Sequence, residues 1–241
     1  MTFSDANCFT CQSRRRTEWC VLSEDELGVI DKAKKSRTLG PGEILFHQGD
    51  PCGGIHCIEN GLIGARKLDA DGNSILLGMA YPGDTLGYRF LLSGEDYQAS
   101  AEALKPSTVC YIDQSAIRFL LEKNPALGLR FLQRAARDLN EAEDRFLQSV
   151  TLSVRARFAH LLLVLKKRYE ENGVPRKTTE FSMDLPLSRQ DMAALIGIRP
   201  ETMSRTIRQF EEEGIARFSG RRVHVPHTEK LLGALETDNI V

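Results

Sequence analysis

Three cysteines stand within the first twenty residues, as Cys8-x2-Cys11-x8-Cys20, and three more are scattered at Cys52, Cys57 and Cys110. Thiolate sulfur is a soft ligand and a nucleophile, so crowded thiols suit metal binding or redox chemistry. Structural disulfides are the poorer account in a chain that reads as intracellular. A second chemical group lies near the other end. In Glu201-Thr-Met-Ser-Arg-Thr-Ile-Arg-Gln-Phe210, Met203 and Ile207 are four apart and would face a core. Glu201, Ser204, Arg205 and Arg208 would then project outward. Arginine offers guanine a bidentate donor, glutamate accepts from the cytosine amino group, and serine suits either. Ser188, Arg189, Thr202, Arg221 and Arg222 are available to phosphates, which fix register without reading sequence. The five histidines show no ligand spacing, and no catalytic constellation stands out, so the chain does not read as an enzyme.

These groups need elements to hold them. Residues 1–22 form a short cysteine- and arginine-rich segment, too small to own a core. Ser23 followed by Glu26 is a capping-box signature for a short helix through Lys35. From about Leu39 to Ile112 short apolar runs are separated by glycine-rich turns, twelve of the nineteen glycines lying between Gly40 and Gly94. Asp71-Gly72 is a hairpin signal. That texture predicts a compact β-roll. From about Ser115 the period turns helical, with Pro125 opening a long helix to about Ser149. Leu132, Ala135, Leu139, Ala142 and Phe146 alternate steps of three and four along it, a seam that suits a homodimer. A second helix, from Arg155 to Glu171, ends near the polar stretch Gly173-Val-Pro-Arg-Lys-Thr-Thr179. Then Leu187–Ile196, capped by Ser188, and Glu201–Phe210 flank Gly197-Ile-Arg-Pro200, making a helix-turn-helix. Ala216–Val225 turns at Gly220 as a wing. The predicted class is α+β: segment 1–22, roll 23–118, dimerisation helix 119–150 and winged helix-turn-helix 151–241.

With 41% hydrophobic and 27% charged residues, 241 residues can build packed cores. Thirty-two basic against thirty-three acidic residues leave −1, so any polyanion must be met by a local surface. No apolar run approaches a membrane span, and the first residues have no apolar core for a signal peptide. The expectation is a soluble, cytoplasmic protein without a membrane partner.

The roll turns Gly40-Pro-Gly-Glu-Ile-Leu-Phe, Gly49-Asp50, Ile58-Glu-Asn-Gly61 and Pro82-Gly-Asp-Thr-Leu-Gly87, with the helix-turn-helix, resemble the cAMP receptor protein superfamily of transcription factors. Glu201-Thr-Met-Ser204-Arg205 is similar to the Glu-x-x-Ser-Arg motif of its FNR branch, the oxygen-responsive fumarate and nitrate reduction regulators. The resemblance covers nearly the whole chain. It implies a roll like a cyclic-nucleotide-binding domain, double-stranded DNA with palindromic TTGAT-type sites, base reading by Glu201, Ser204 and Arg205, and RNA polymerase as a partner. Cyclic-nucleotide binders of the superfamily carry a Glu after the Gly-x-x-x-Gly turn and then Arg-Ser or Arg-Thr. Here Gly87 precedes Tyr88 and the later position reads Gln98-Ala-Ser100, which argues against cyclic AMP.

The resemblance also implies a [4Fe–4S] cluster on Cys8, Cys11, Cys20 and Cys110, four soft thiolates being what such a cluster requires. Eight residues precede the third cysteine, where members of that branch usually leave five or seven. Cys57, in an apolar strand, reads as a small buried hydrophobe. Cys52 reads as a loop thiol and the substitute ligand should Cys110 be misassigned. The implied function is an oxygen-responsive activator that binds DNA as a dimer while its cluster is intact. Open beside it stand a zinc site on the same cysteines, a bare thiol sensor, a FixK-type, nitric-oxide- or haem-responsive regulator without a cluster, and a zinc or iron–sulfur redox protein that does not bind DNA.

Overall fold

A computed structural model of the chain describes residues 7–70, 72–171 and 179–236. It divides into two compact units between Glu141 and Ala142. In the first, two short 3-10 turns, Ser13–Arg16 and Glu18–Val21, precede helix α1, Glu24–Ala33. The expected capping box is present: the Ser23 hydroxyl accepts the Glu26 amide and the Glu26 carboxylate accepts the Ser23 amide. α1 stops two residues short of Lys35, which already opens strand β1 (Lys35–Leu39).

The roll continues through β2 (Ile44–Phe46), β3 (Gly54–Asn60), β4 (Ile63–Leu68), β5 (Ser74–Ala80), β6 (Thr85–Leu86), β7 (Ser100–Ala103) and β8 (Ser107–Asp113). Two antiparallel sheets result, ordered β1-β8-β3-β6 and β2-β7-β4-β5. β4 and β5 pair as the expected hairpin, although Asp71 of its turn signal lies outside the described residues. Gly61 turns β3 into β4 at φ +95°, and a Cβ there would lie 2.5 Å from the Ser107 Cα. Only glycine fits that approach.

The two-residue period of β3 divides the core. Ile58 faces the second sheet with Leu39, Ile63, Ala101 and Val109. Ile55 and Cys57 face the other way, onto a layer that holds Trp19, Ile30, Ile112, Leu120 and Phe131. That layer includes two helices the sequence placed imprecisely or missed. α2 (Tyr88–Ser93) follows β6, and α3 (Gln114–Lys123) crosses the border drawn at 118. α4, Pro125–Thr151, is the expected long helix of 27 residues. Trp19 packs edge-on against Phe131 of α4 at 5.6 Å between centroids. The N-terminal segment therefore shares this core.

The second unit packs α5 (Val154–Glu171) against β9 (Phe181–Asp184), α6 (Arg189–Leu195), α7 (Pro200–Glu212), the hairpin β10 (Arg217–Ser219) and β11 (Arg222–Val225), and α8 (Thr228–Glu236). Residues 173–178 of the polar stretch lie outside the described residues. β9 and α8 carry no strong sequence signal. β9 joins the wing through Met183 opposite Val223, giving a three-stranded sheet, and the core gathers Phe158, Met203, Ile207, Phe210 and Leu231. Pro200 starts α7 rather than ending the turn, where its missing N–H costs nothing. Among the described residues no helix is long and apolar enough to cross a membrane.

Candidate functional site

Beneath the N-terminal turns lies a cleft of about 60 Å3, lined by Cys8, Cys11, Arg14, Trp19, Cys57 and Cys110 among others. Its floor is the outer face of β3 and β8, where Cys57 stands directly opposite Cys110. Cys110 Sγ lies 3.4 Å from the Ser36 hydroxyl. Cys8 is tied to α1: its amide donates to Asp31 Oδ1 at 2.8 Å, and Lys34 Nζ donates to its sulfur at 3.5 Å. Burial pushes the Cys8 thiol up to about 11 against the pull of Lys34. Burial also raises Cys110 and Cys57. Without a metal these three thiols hold their protons at neutral pH, and a soft cation must displace them to bind.

Three of the four sequence-predicted ligands thus share one cleft. The fourth does not line it. Cys20 Sγ accepts a hydrogen bond from Arg130 Nη2 of α4 at 2.9 Å. Among the described residues no three His, Cys, Asp or Glu converge as a ready ligand set. Two buried donors nevertheless suit sulfur in this cleft. Among the described residues the indole N–H of Trp19 and the Nε of Arg14 have no hydrogen-bond partner, and hydrogen bonds to sulfur are a known means of tuning such clusters. A soft-ligand donor set with orphaned N–H groups around it fits an iron–sulfur group. Cys52, by contrast, points its thiol at the carbonyls of Gly54 and Gly87, away from the cleft.

The segment carrying Cys11 and Cys20 is also wired to α4 by charge. Arg134 donates to Glu18 Oε1 at 3.2 Å and to Asp84 Oδ1 at 2.9 Å, with Asp138 at 3.9 Å. Glu18 is 3% exposed, so this pairing satisfies a carboxylate that would be costly to bury alone. Tyr88, standing where the resemblance expects a carboxylate in cyclic-nucleotide binders, is buried and donates to Asp138 at 2.7 Å. On the roll's inner side Phe46 and Tyr97 stack at 3.8 Å, and Ser100 accepts the Gln48 amide.

In the second unit α7 presents its residues as its period dictates. Met203 and Ile207 are buried, while Glu201, Ser204, Arg205 and Arg208 are exposed on one side. Gly197, at φ +68°, makes the turn between α6 and α7. Arg189, Arg221 and Arg222 are exposed, and Thr202 is half-buried. Ser188 is already engaged: its hydroxyl donates to Asp191 Oδ2 at 2.7 Å and accepts the Asp191 amide at 3.1 Å. The acidic run 211–213 serves the fold. Glu211 accepts the Phe218 amide of the wing, and Glu213 takes Arg155 Nη1 at 2.7 Å.

Along α4, Leu132, Leu139 and Phe146 recur every seven residues and are 67%, 58% and 71% exposed. Leu129 and Val150 extend that stripe at heptad spacing. Ala142 is exposed beside it, whereas Ala135 packs inward on the core of the first unit.

Comparison with known proteins agrees with this architecture. Residues 36–124 match the family described as cyclic nucleotide-binding domain, and residues 156–234 the Crp-like helix-turn-helix domain. The transcriptional activatory protein AadR of Rhodopseudomonas palustris is 30% identical, over 85% of this chain and 86% of its own. The nitrogen fixation regulation protein FixK of Bradyrhizobium diazoefficiens is 30% identical over 86% of this chain and 84% of its own. The transcriptional activator protein Anr of Pseudomonas aeruginosa is 26% identical over 91% and 88%. The solved structure of FixK2 from Bradyrhizobium japonicum shares the fold, with a TM-score of 0.70 at 24% identity over 83% of this chain and 96% of that one.

Proposed function

The chain belongs to the CRP/FNR superfamily of transcription regulators, and on that premise we propose an oxygen-responsive DNA-binding activator that works as a homodimer through a [4Fe–4S] cluster. The observation that carries this reading is the thiol cleft: Cys8, Cys11 and Cys110 line it together. Cys20 joins them as the fourth ligand on the strength of its place in the cysteine motif. When bound, the cluster supplies oxygen-sensitive redox chemistry at low potential.

The protein's own residues do the rest. Trp19 and Glu18 hold the ligand-bearing segment against Phe131 and Arg134 of α4, so disturbing that segment bears on the helix. The exposed stripe Leu132, Leu139 and Phe146, with Ala135 and Ala142 of the predicted seam alongside, is offered to a second copy. Glu201, Ser204 and Arg205 read bases in palindromic TTGAT-type sites, and Ser188, Arg189, Thr202, Arg221 and Arg222 lie near phosphates. RNA polymerase is the downstream partner, the cytoplasm the compartment, and cyclic AMP is not the signal. Protein prepared anaerobically should be straw-brown, contain iron and acid-labile sulfide, and bind a TTGAT palindrome more tightly than after air exposure. Colourless protein with equal binding in air removes the cluster. That outcome favours a second reading, a cluster-free regulator of the same superfamily, which has on its side that no three ligands converge among the described residues.

A further inference from the structure

The cleft holds a sulfur that the cysteine motif leaves out. Cys57 of β3 is paired in register with Cys110 of β8. Directly opposed residues of an antiparallel pair share a face, with Cα atoms about 4.5–5.5 Å apart. Both thiols therefore open onto the same cleft as Cys8 and Cys11. Above them Trp19, 6% exposed, also lines the cleft, and its indole N–H has no hydrogen-bond partner. That donor lines the same cleft as the Cys57 sulfur, where donors around a metal-bound thiolate belong. Cys20 is engaged elsewhere, by Arg130. As mere core filling, Cys57 would have no need to open onto a cleft.

We propose that Cys57 is a fifth thiol of this site, able to take the fourth ligand position in place of Cys20. The four-sulfur set is then Cys8, Cys11, Cys57 and Cys110, all of which line the cleft and which binding must draw together. This rests on the cluster reading above. It predicts that losing Cys20 alone is tolerated, because a sulfur already stands beside Cys110.

The test is anaerobic reconstitution of the full chain with ferrous iron and sulfide, as wild type, Cys20→Ser, Cys57→Ala and the double variant. Iron and acid-labile sulfide per chain are the readout, with circular dichroism to check folding. Expected is near-complete content in Cys20→Ser and at least a tenfold loss in the double variant. Loss in Cys20→Ser alone overturns the proposal, as does full content in the double. Should the double fail to fold with alanine, Cys57→Ser takes its place. A wild type that takes up neither iron nor sulfide overturns the cluster reading instead. Titration of the same proteins with Co2+ alone then decides the cleft. Sulfur-to-cobalt charge-transfer absorption kept at wild-type intensity in Cys20→Ser and lowered in the double upholds the four-sulfur set, and any other pattern removes it.

Discussion

The DNA-facing helix and the thiol cleft present their chemistry in opposite ways. On α7 the groups proposed to read bases sit exposed on one side of a single helix, their arrangement complete as soon as Met203, Ile207 and Phe210 are buried. The cleft takes its sulfurs from three separate stretches, and among the described residues no three ligands converge there. The first is a finished surface; the second is a set of parts that, on the proposed reading, a metal would have to draw together, displacing protons from thiols that burial holds on. A surface that is always ready cannot itself be the point of control. On the proposed reading, control falls to the stripe on α4, where two copies would meet.

The variant with the largest expected effect attacks that inference. Leu139→Asp places a charge at the centre of the stripe, where association would have to desolvate it. The expected result is monomer by light scattering at micromolar concentration and a loss of DNA affinity of about 100-fold or more, roughly 2.7 kcal/mol, with iron content untouched. A variant that stays dimeric breaks the comparison, because the stripe is then not where control acts. Arg205→Ala should cost about 1–3 kcal/mol on the cognate site and relax preference at one base pair. Binding titrations on a panel of half-site mutants measure it, and equal loss on every sequence would remove the base-reading role.

Ser188→Ala sharpens the account of α6. Its hydroxyl already caps the helix, so the loss should appear first in thermal unfolding, at about 1 kcal/mol. A change in the salt dependence of DNA binding without a change in melting would instead make Ser188 a phosphate contact. The smallest effect belongs to Glu213. Arg155 holds its carboxylate below the ordinary value of 4.5. The stability from this pair is therefore present above that value and lost as pH falls through the depressed one. The pair is well exposed, so Glu213→Gln should cost less than about 1 kcal/mol at neutral pH and flatten the acid limb of a denaturation series.

The same contrast explains what was legible in the sequence. α7 could be read because a 3.6-residue period assigns every side chain once two core positions are known. The capping boxes at Ser23 and Ser188 are similarly local. The cleft could not be read that way. That Cys57 faces Cys110 depends on the pairing of β3 with β8, about fifty residues apart in the chain, and a register shift of one would send Cys57 to the other face. The fold of the N-terminal segment was hidden for a related reason. Trp19 and Leu22 are buried by Phe131 and its neighbours, which arrive a hundred residues later. Only Ala135 of the predicted seam turned inward, since steps of three and four allow two adjacent tracks on one helix and the roll's outer core occupies one of them.

Trp19 is the sole tryptophan among the 241 residues, and it lines the cleft while resting on Phe131 of α4. Selective excitation of indole therefore interrogates one spot in the molecule without any label. Emission that is quenched as iron and sulfide enter reports filling of the cleft. A red shift without quenching reports the segment lifting away from the helix. The protein carries its own optical gauge at the junction where sensing would become assembly.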